Sequence, residues 1–153
     1  MPFVGQTEAV IDAKQRLALP AKFRSRWNPA QDGPTWFAVP WIPDRVLRLY
    51  TEQTFNELFH SGRSAPSLTP SSDRAKLEAL LFSATEQLDL DANHRLRVPA
   101  WQIEKLGLPK EVFILGAGDR LEVRPRDGWT DRFDEGIQEL DALAARLSHE
   151  PHD

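Results

Sequence analysis

Short apolar runs separated by polar turns, with helical spacing appearing only between them, set the pattern of this chain. Glu8-Ala9-Val10-Ile11 and Leu17-Ala18-Leu19 flank a polar stretch at 12–16 and predict two short strands joined by a loop. Pro20 suits the first turn of a helix, where its missing N–H costs nothing, and Phe23 and Trp27 fall four apart on one side of that helix. Trp36-Phe37-Ala38-Val39, ended by Pro40, and Val46-Leu47-Arg48-Leu49-Tyr50 predict two further strands. Thr51 is placed to cap a helix whose stripe is Phe55, Leu58 and Phe59. A helix carrying Leu77, Leu80 and Leu81 then leads into a second round of the same pattern. It comprises strands at Leu88 to Leu90 and Leu96 to Val98, a helix opened by Pro99 and ended at Gly107, and strands near Val112 to Leu115 and Leu121 to Val123. The last helix, from about Asp127 to Leu147, spaces Trp129, Phe133, Ile137, Leu140, Ala144 and Leu147 by three and four. Such a stripe must pack, either on the preceding β core or on a neighbouring subunit.

The second round repeats the first in its residues as well as its pattern. Ile11-Asp12-Ala13-Lys14-Gln15-Arg16-Leu17-Ala18-Leu19-Pro20-Ala21 returns as Leu90-Asp91-Ala92-Asn93-His94-Arg95-Leu96-Arg97-Val98-Pro99-Ala100, at an offset of 79. Leu47 to Phe55 echoes Leu121 to Trp129 at an offset of 74, so the first copy is five residues longer, an excess placed in a loop within 28–45. Residues 61–72, rich in Ser, Pro and Gly, read as a flexible linker. The expected organisation is a first repeat at 1–60, a linker and the start of a connecting helix at 61–76, a second repeat with its C-terminal helix at 77–147, and a flexible acidic tail at 148–153. Each half alone is near the size at which burying a core becomes marginal, so the halves are expected to need each other.

Composition narrows the class. With 153 residues, 41% hydrophobic and 27% charged, the chain reads as globular, and it has no apolar run approaching the roughly 20 residues that span a bilayer. The start, Met1 to Gln6, does not look like a signal peptide, and a cytoplasmic location is the expectation. The chain has no cysteine, which removes disulfides, thiol nucleophiles and thiolate zinc sites. Its net charge of −4 speaks against nucleic acid until the distribution is read. Residues 12–26 hold Lys14, Arg16, Lys22, Arg24 and Arg26 against Asp12 alone, whereas 130–153 hold seven acids against Arg132 and Arg146. Charge alone leaves the basic segment readable as a solvated helix face.

Catalytic and metal chemistry find little support. His60, His94, His149 and His152 lack metal-ligand spacing, and no Walker loop, Gly-x-Ser-x-Gly elbow or His-Glu-x-x-His is present. Gly116-Ala117-Gly118 joins two strands and reads as a tight turn, not a phosphate loop. Glu135 and Glu139 read as a solvated helix face, and the five tryptophans as core or subunit-contact residues. No enzyme activity, cofactor or small-molecule substrate is expected. The remaining candidate chemistry is the repeated Asp-x-x-x-Arg, which allows two readings: an Asp12–Arg16 and Asp91–Arg95 ion pair that staples a turn, or paired arginines that read guanine edges.

Asp12 to Arg24, Leu81-Phe82-Ser83-Ala84, Asp91 to Pro99 and Gly116 to Val123 together resemble the MraZ family, bacterial transcriptional regulators with two SpoVT-AbrB-like repeats. The resemblance covers nearly the whole chain apart from the linker and tail. It implies a mostly β fold with peripheral helices (α+β), built as an AbrB-like swapped-hairpin β-barrel by internal duplication. It also implies a ring-like homo-oligomer, nucleoid association, and binding to direct repeats of double-stranded DNA in the promoter of the division and cell-wall gene cluster. Carried over to this chain, the DNA-binding residues are Arg16 and Arg95, with Lys14 a secondary contact and Arg24 matching a basic family position, while Asp12 and Asp91 fix the loops.

One departure stands out: the family usually has Gly immediately before each motif Arg, and this chain has Gln15 and His94. A left-handed turn would strain them by roughly 1 kcal/mol or more; alternatively, their side chains add hydrogen bonds to DNA. Two rival readings are an AbrB-like antitoxin and a ring-forming assembly protein that has lost DNA binding.

Overall fold

The computed structural model describes residues 2–61 and 68–148. Residues 62–67 of the expected linker and nearly all of the expected tail, His149 and His152 included, lie outside the described residues.

The first copy contributes β1 (Gln6–Val10), β2 (Arg16–Ala18), α1 (Ala21–Arg24), α2 (Pro29–Asp32), β3 (Thr35–Trp41), β4 (Val46–Thr51) and α3 (Glu52–His60). The second contributes α4 (Ser72–Ala84), β5 (Glu86–Asp89), β6 (Arg95–Arg97), α5 (Ala100–Leu106), β7 (Glu111–Gly116), β8 (Leu121–Pro125), α6 (Trp129–Gln138) and α7 (Leu140–Leu147). Pro20 and Pro99 are the N-cap residues of α1 and α5, and Gly107 ends α5 at φ 62°. The Thr51 hydroxyl caps α3 by accepting from the Thr54 N–H at 3.3 Å, as the sequence predicts. The five-residue excess of the first copy lies where expected, with α2 and a 3-10 turn at Ile42–Asp44 both within residues 28–45.

Six strands form one antiparallel sheet in the order β1-β7-β8-β4-β3-β5, and β2 pairs with β6 in a separate two-stranded ribbon. The fold is therefore α+β with a mostly antiparallel sheet, and the expected closed barrel is corrected to an open one. The reason is local. Each polar loop takes up the residues between its bridge partners, 12–16 and 91–95, leaving single bridges, Ile11 to Leu17 and Leu90 to Leu96, between the sheet edges and the ribbon. Across the sheet the two copies exchange partners: β1 of the first pairs with β7 of the second, and β5 of the second with β3 of the first. In the ribbon, Leu17 pairs with Leu96, its own counterpart at the 79-residue offset.

The core lies between sheet, ribbon and α5. Leu17, Leu96, Trp36, Phe23, Ile114 and Leu121 are essentially without solvent contact, joined by partners from both copies. That burial supplies the main driving force, at roughly 1.5–3 kcal/mol per large side chain. Gln102 is buried as well, its amide donating to the Ala38 carbonyl at 3.1 Å and the Ala84 carbonyl at 2.9 Å, which fastens α5 to β3 and to the end of α4. Glu122 is 5% exposed and bonded by Arg120 and Arg124, both at 2.9 Å, with Arg48 at 3.9 Å. Burial raises its pKa, but the two bonded guanidiniums prevail and hold it below the ordinary 4.5.

Two sequence expectations change. Pro40 does not end its strand but lies inside β3 opposite Leu47. On its other side β5 pairs only as far as Ala38, so Pro40 sits at a locally unpaired edge where a missing N–H is tolerated. The single C-terminal helix is two helices, meeting at Glu139 with φ −96° and ψ 7°, just beyond the helix-weakening Gly136. Its first turn docks on the β core, where Trp129 Nε1 donates to Gln6 Oε1 at 2.8 Å. Ile137, Leu140 and Leu147 are each more than half exposed, so the stripe beyond Phe133 does not pack on the core of its own chain. Leu77 and Leu80 of α4 are exposed in the same way. Of the tryptophans, Trp36 is core, Trp27 stacks edge-on against it at 5.5 Å, and Trp101 is 37% exposed. Among the described residues no helix is long and apolar enough to cross a membrane.

Candidate nucleic-acid interface

The polar loops between β1 and β2 and between β5 and β6 are the same structure twice. In the first, Asp12 Oδ1 accepts the N–H groups of Lys14 at 2.9 Å and Arg16 at 2.8 Å, while Oδ2 accepts Arg16 Nε at 2.7 Å. In the second, Asp91 Oδ1 accepts the N–H groups of Asn93 at 2.8 Å and Arg95 at 3.0 Å, and Oδ2 accepts Arg95 Nε at 2.9 Å. The main-chain bonds match too, from Gln15 N–H to the Asp12 carbonyl and from His94 N–H to the Asp91 carbonyl, each 3.0 Å. An Asp side chain closing its own turn in this way is the favoured local use of a short carboxylate.

These bonds depress both carboxyl pKa values. At Asp12 the Arg16 N–H is the largest influence, opposed by partial desolvation and assisted by the Arg16 side chain and the Lys14 N–H. At Asp91 desolvation is the largest single influence and raises the pKa, but the N–H groups of Arg95 and Asn93 and the Arg95 side chain together outweigh it. Both carboxylates are thus fixed in the charged form near neutral pH.

The loops require the left-handed backbone that the departure from Gly puts under strain: Gln15 has φ 64° and His94 φ 60°. Their carbonyls are committed as well, accepting from Val98 N–H at 2.8 Å and Leu19 N–H at 2.9 Å across the ribbon. Each residue is pinned at both ends of its peptide unit, and the surrounding bonds over-determine the strained conformation.

The turn-stapling ion pairs are present, yet they engage only one edge of each guanidinium. Nε of Arg16 and of Arg95 faces the Asp, and the Nη groups have no hydrogen-bond partner among the described residues. A guanidinium fixed along one edge presents its other edge in a set direction, the arrangement that bidentate recognition needs. Leu17 and Leu96 point into the core, so Arg16, Ala18, Arg95 and Arg97 share the outer face of the ribbon. A two-stranded ribbon is narrow enough to enter the DNA major groove.

The other predicted residues divide. Lys14 and His94 are exposed on the loops. Gln15 is half-buried and borders a small cavity with Ile103 and Leu108 of the α5 region. Arg24 donates from Nε to the Leu19 carbonyl at 2.9 Å, so part of its guanidinium supports the path into α1. Arg97 escaped the sequence reading: it is exposed on β6 and paired with Arg16 across the ribbon. The signal available was the alternation Arg95-Leu96-Arg97, which sets two arginines on one strand face once Leu96 is placed inside.

Twin Asp-anchored loops beside a two-stranded ribbon that pairs Leu17 with Leu96, set against a mostly antiparallel sheet, define an α+β loop scaffold. Residues 81–149 match the family model described as "MraZ protein, putative antitoxin-like". The protein named transcriptional regulator MraZ from Halorhodospira halophila is 32% identical over 148 residues, covering 97% of this chain and 95% of its own. Its namesake from Mycoplasma capricolum is 30% identical over 135 residues, 88% of this chain and 96% of its own, and that from Mycoplasma mycoides 29% over 138 residues, 90% and 98%. The chain belongs to the MraZ family.

Proposed function

We propose that this chain is a transcriptional regulator that binds double-stranded DNA sequence-specifically through the loops carrying Arg16 and Arg95. The supporting observation is the bond-for-bond identity of the two Asp-anchored loops, each orienting one guanidinium and leaving its Nη edge open. In this reading Arg16 and Arg95 contact guanine O6 and N7, each worth about 1–3 kcal/mol of discrimination. Lys14 and Arg24 meet phosphate, Gln15 and His94 add polar contacts at the loop tips, and Asp12 and Asp91 hold the loops in shape.

The chain is read as a swapped-hairpin duplication, with repeats at 1–60 and 77–147 joined through 61–76 and followed by a tail at 148–153. The exchange of β1 and β5 between copies supports that reading. A single subunit offers few phosphate contacts, and its binding would be weak. A ring-like homo-oligomer would meet successive promoter direct repeats and gain about 10²–10⁴ through linked sites. The exposed apolar residues of α4, α6 and α7 are the natural contacts for such assembly. The targets are promoter repeats of the division and cell-wall gene cluster, and the location is cytoplasmic and nucleoid-associated. The role calls for no catalysis and no cofactor.

Binding of the full chain to its own upstream DNA, against a scrambled duplex and across a salt series, tests the reading. Selective, salt-weakened binding is expected. An intact protein with no selectivity at low salt would replace the regulator with an assembly protein, and co-purification of a small basic partner would favour the antitoxin.

A further inference from the structure

The two ends of the ribbon are unlike in charge. The bonds from Val98 N–H to Gln15 and from Leu19 N–H to His94 make 15/98 and 19/94 hydrogen-bonded pairs. The alternate pairs, Arg16/Arg97 and Ala18/Arg95, are then of the non-hydrogen-bonded kind, in which facing side chains stand closest. Arg16 thus directly faces Arg97 on the outer face, and like charges so placed repel. Asp12 neutralises Arg16 at 2.7 Å, but Arg97 has no carboxylate partner among the described residues. At the other end Ala18 faces Arg95, and Asp91 neutralises Arg95 at 2.9 Å. Positions 18 and 97 are counterparts at the 79-residue offset, alanine in one copy and arginine in the other. Like charges at facing positions, one of them without a carboxylate, repel, and an anion lying across both would relieve that repulsion.

We infer that Arg97 is a further DNA contact, to a backbone phosphate beside the base pair met by Arg16, and that it gives each subunit a direction on the duplex. The inference rests on the DNA-binding reading above. Arg16 is oriented by a carboxylate, as reading a base requires, whereas Arg97 has no orienting partner and suits a phosphate, which accepts approach from many directions. A ribbon with two equal ends would seat equally well in either orientation and would match an inverted repeat. Two guanidiniums at the Arg16 end and one at the Arg95 end favour one orientation, and a fixed orientation is what direct repeats demand.

The test uses the full chain with Arg97→Ala, Arg97→Lys, Ala18→Arg and Arg16→Ala/Arg95→Ala, each titrated with the chain's own upstream duplex and a scrambled duplex across a salt series. Arg97→Ala is expected to weaken binding to both duplexes by the same factor, roughly tenfold at 0.1 M salt for each engaged subunit, with the salt slope shallower by about 0.9 for each. Its thermal midpoint is expected to be unchanged or raised, since a repulsion is removed. Arg97→Lys should retain the slope, because a phosphate accepts a point charge. Ala18→Arg should steepen the slope and make the hydroxyl-radical footprint on a single repeat more symmetric. If Arg97→Ala keeps the wild-type slope while Arg16→Ala/Arg95→Ala abolishes selectivity, the Arg97 contact is overturned and the reader stands. If Arg97→Ala loses selectivity at unchanged slope, or lowers the thermal midpoint, the phosphate assignment is overturned. If Arg16→Ala/Arg95→Ala binds as wild type does, the DNA-binding reading fails and this inference with it.

Discussion

Replacing Gln15 and His94 by glycine should stabilise this protein, contrary to the usual effect of adding glycine. Both residues sit in left-handed backbone, φ 64° and 60°, fixed by an N–H bond to the loop Asp carbonyl and a carbonyl bond across the ribbon. A side chain there costs about 1–2 kcal/mol against glycine. Glycine in turn loses about 0.5–1 kcal/mol more backbone entropy on folding. The balance is a gain of roughly 0.5–1 kcal/mol per site. Position 94 pairs with position 19, four residues along the strand from 15, which puts the sites roughly 13 Å apart, so their effects should add. The double variant should therefore gain about 1–2 kcal/mol, and its thermal midpoint should rise by roughly 2–4 °C per kcal/mol for a chain of this size. Urea unfolding at fixed protein concentration, with slope and midpoint read together, separates a true gain from a change in the unfolded state. A midpoint that falls in both single variants would refute the strain argument, because it would mean that the Gln15 and His94 side chains hold their loops in place.

Other expectations follow from the charged groups and from one close backbone approach. Glu122→Gln would leave Arg120 and Arg124 without their shared carboxylate and should destabilise by about 2 kcal/mol, below the cost for a fully dry pair because the arginines keep water contact; chemical denaturation reads it. Asp12, Asp91 and Glu122 all have pKa values lowered in the folded chain, so the stability they confer is complete above their ordinary 3.8, 3.8 and 4.5 and is lost as pH falls through the folded values. A pH series of thermal midpoints should accordingly fall on the acid side, and Asp12→Asn/Asp91→Asn should fall less steeply. Gly116→Ala should destabilise by about 2 kcal/mol in the same denaturation assay, since an added Cβ would stand 2.4 Å from the Val4 backbone nitrogen and 2.5 Å from the Phe3 carbonyl carbon.

The strands, caps and paired loops were legible because their signals are local. Pro20, Pro99 and Thr51 act where their chemistry points, and the short apolar runs fall within one or two residues of β1 to β8. The family resemblance supplied the proposed loop roles, and the structure adds the bonds that Asp12 and Asp91 accept from the N–H groups of Arg16 and Arg95. Pro40 misled because whether a strand edge is paired depends on how far β5 extends, which is tertiary information. The C-terminal stripe has perfect helical spacing, but spacing says only that an apolar face exists; in this chain it lies outside the core. Closure of the barrel depended on two bridges of one residue each, a scale that no periodicity reports. Arg97 was hidden for a related reason: its significance comes from facing Arg16, which only the ribbon register reveals.

Whether the twin arginines read DNA, as proposed, is measured by a salt series of binding to the chain's own upstream duplex and to a scrambled one, for wild type and for Arg16→Ala/Arg95→Ala. Wild type should prefer the upstream duplex and lose affinity as salt rises, and the double variant should lose that preference while remaining folded. Equal binding of both duplexes by wild type, or selectivity that survives removal of both arginines, would mean that Arg16 and Arg95 do not read DNA sequence.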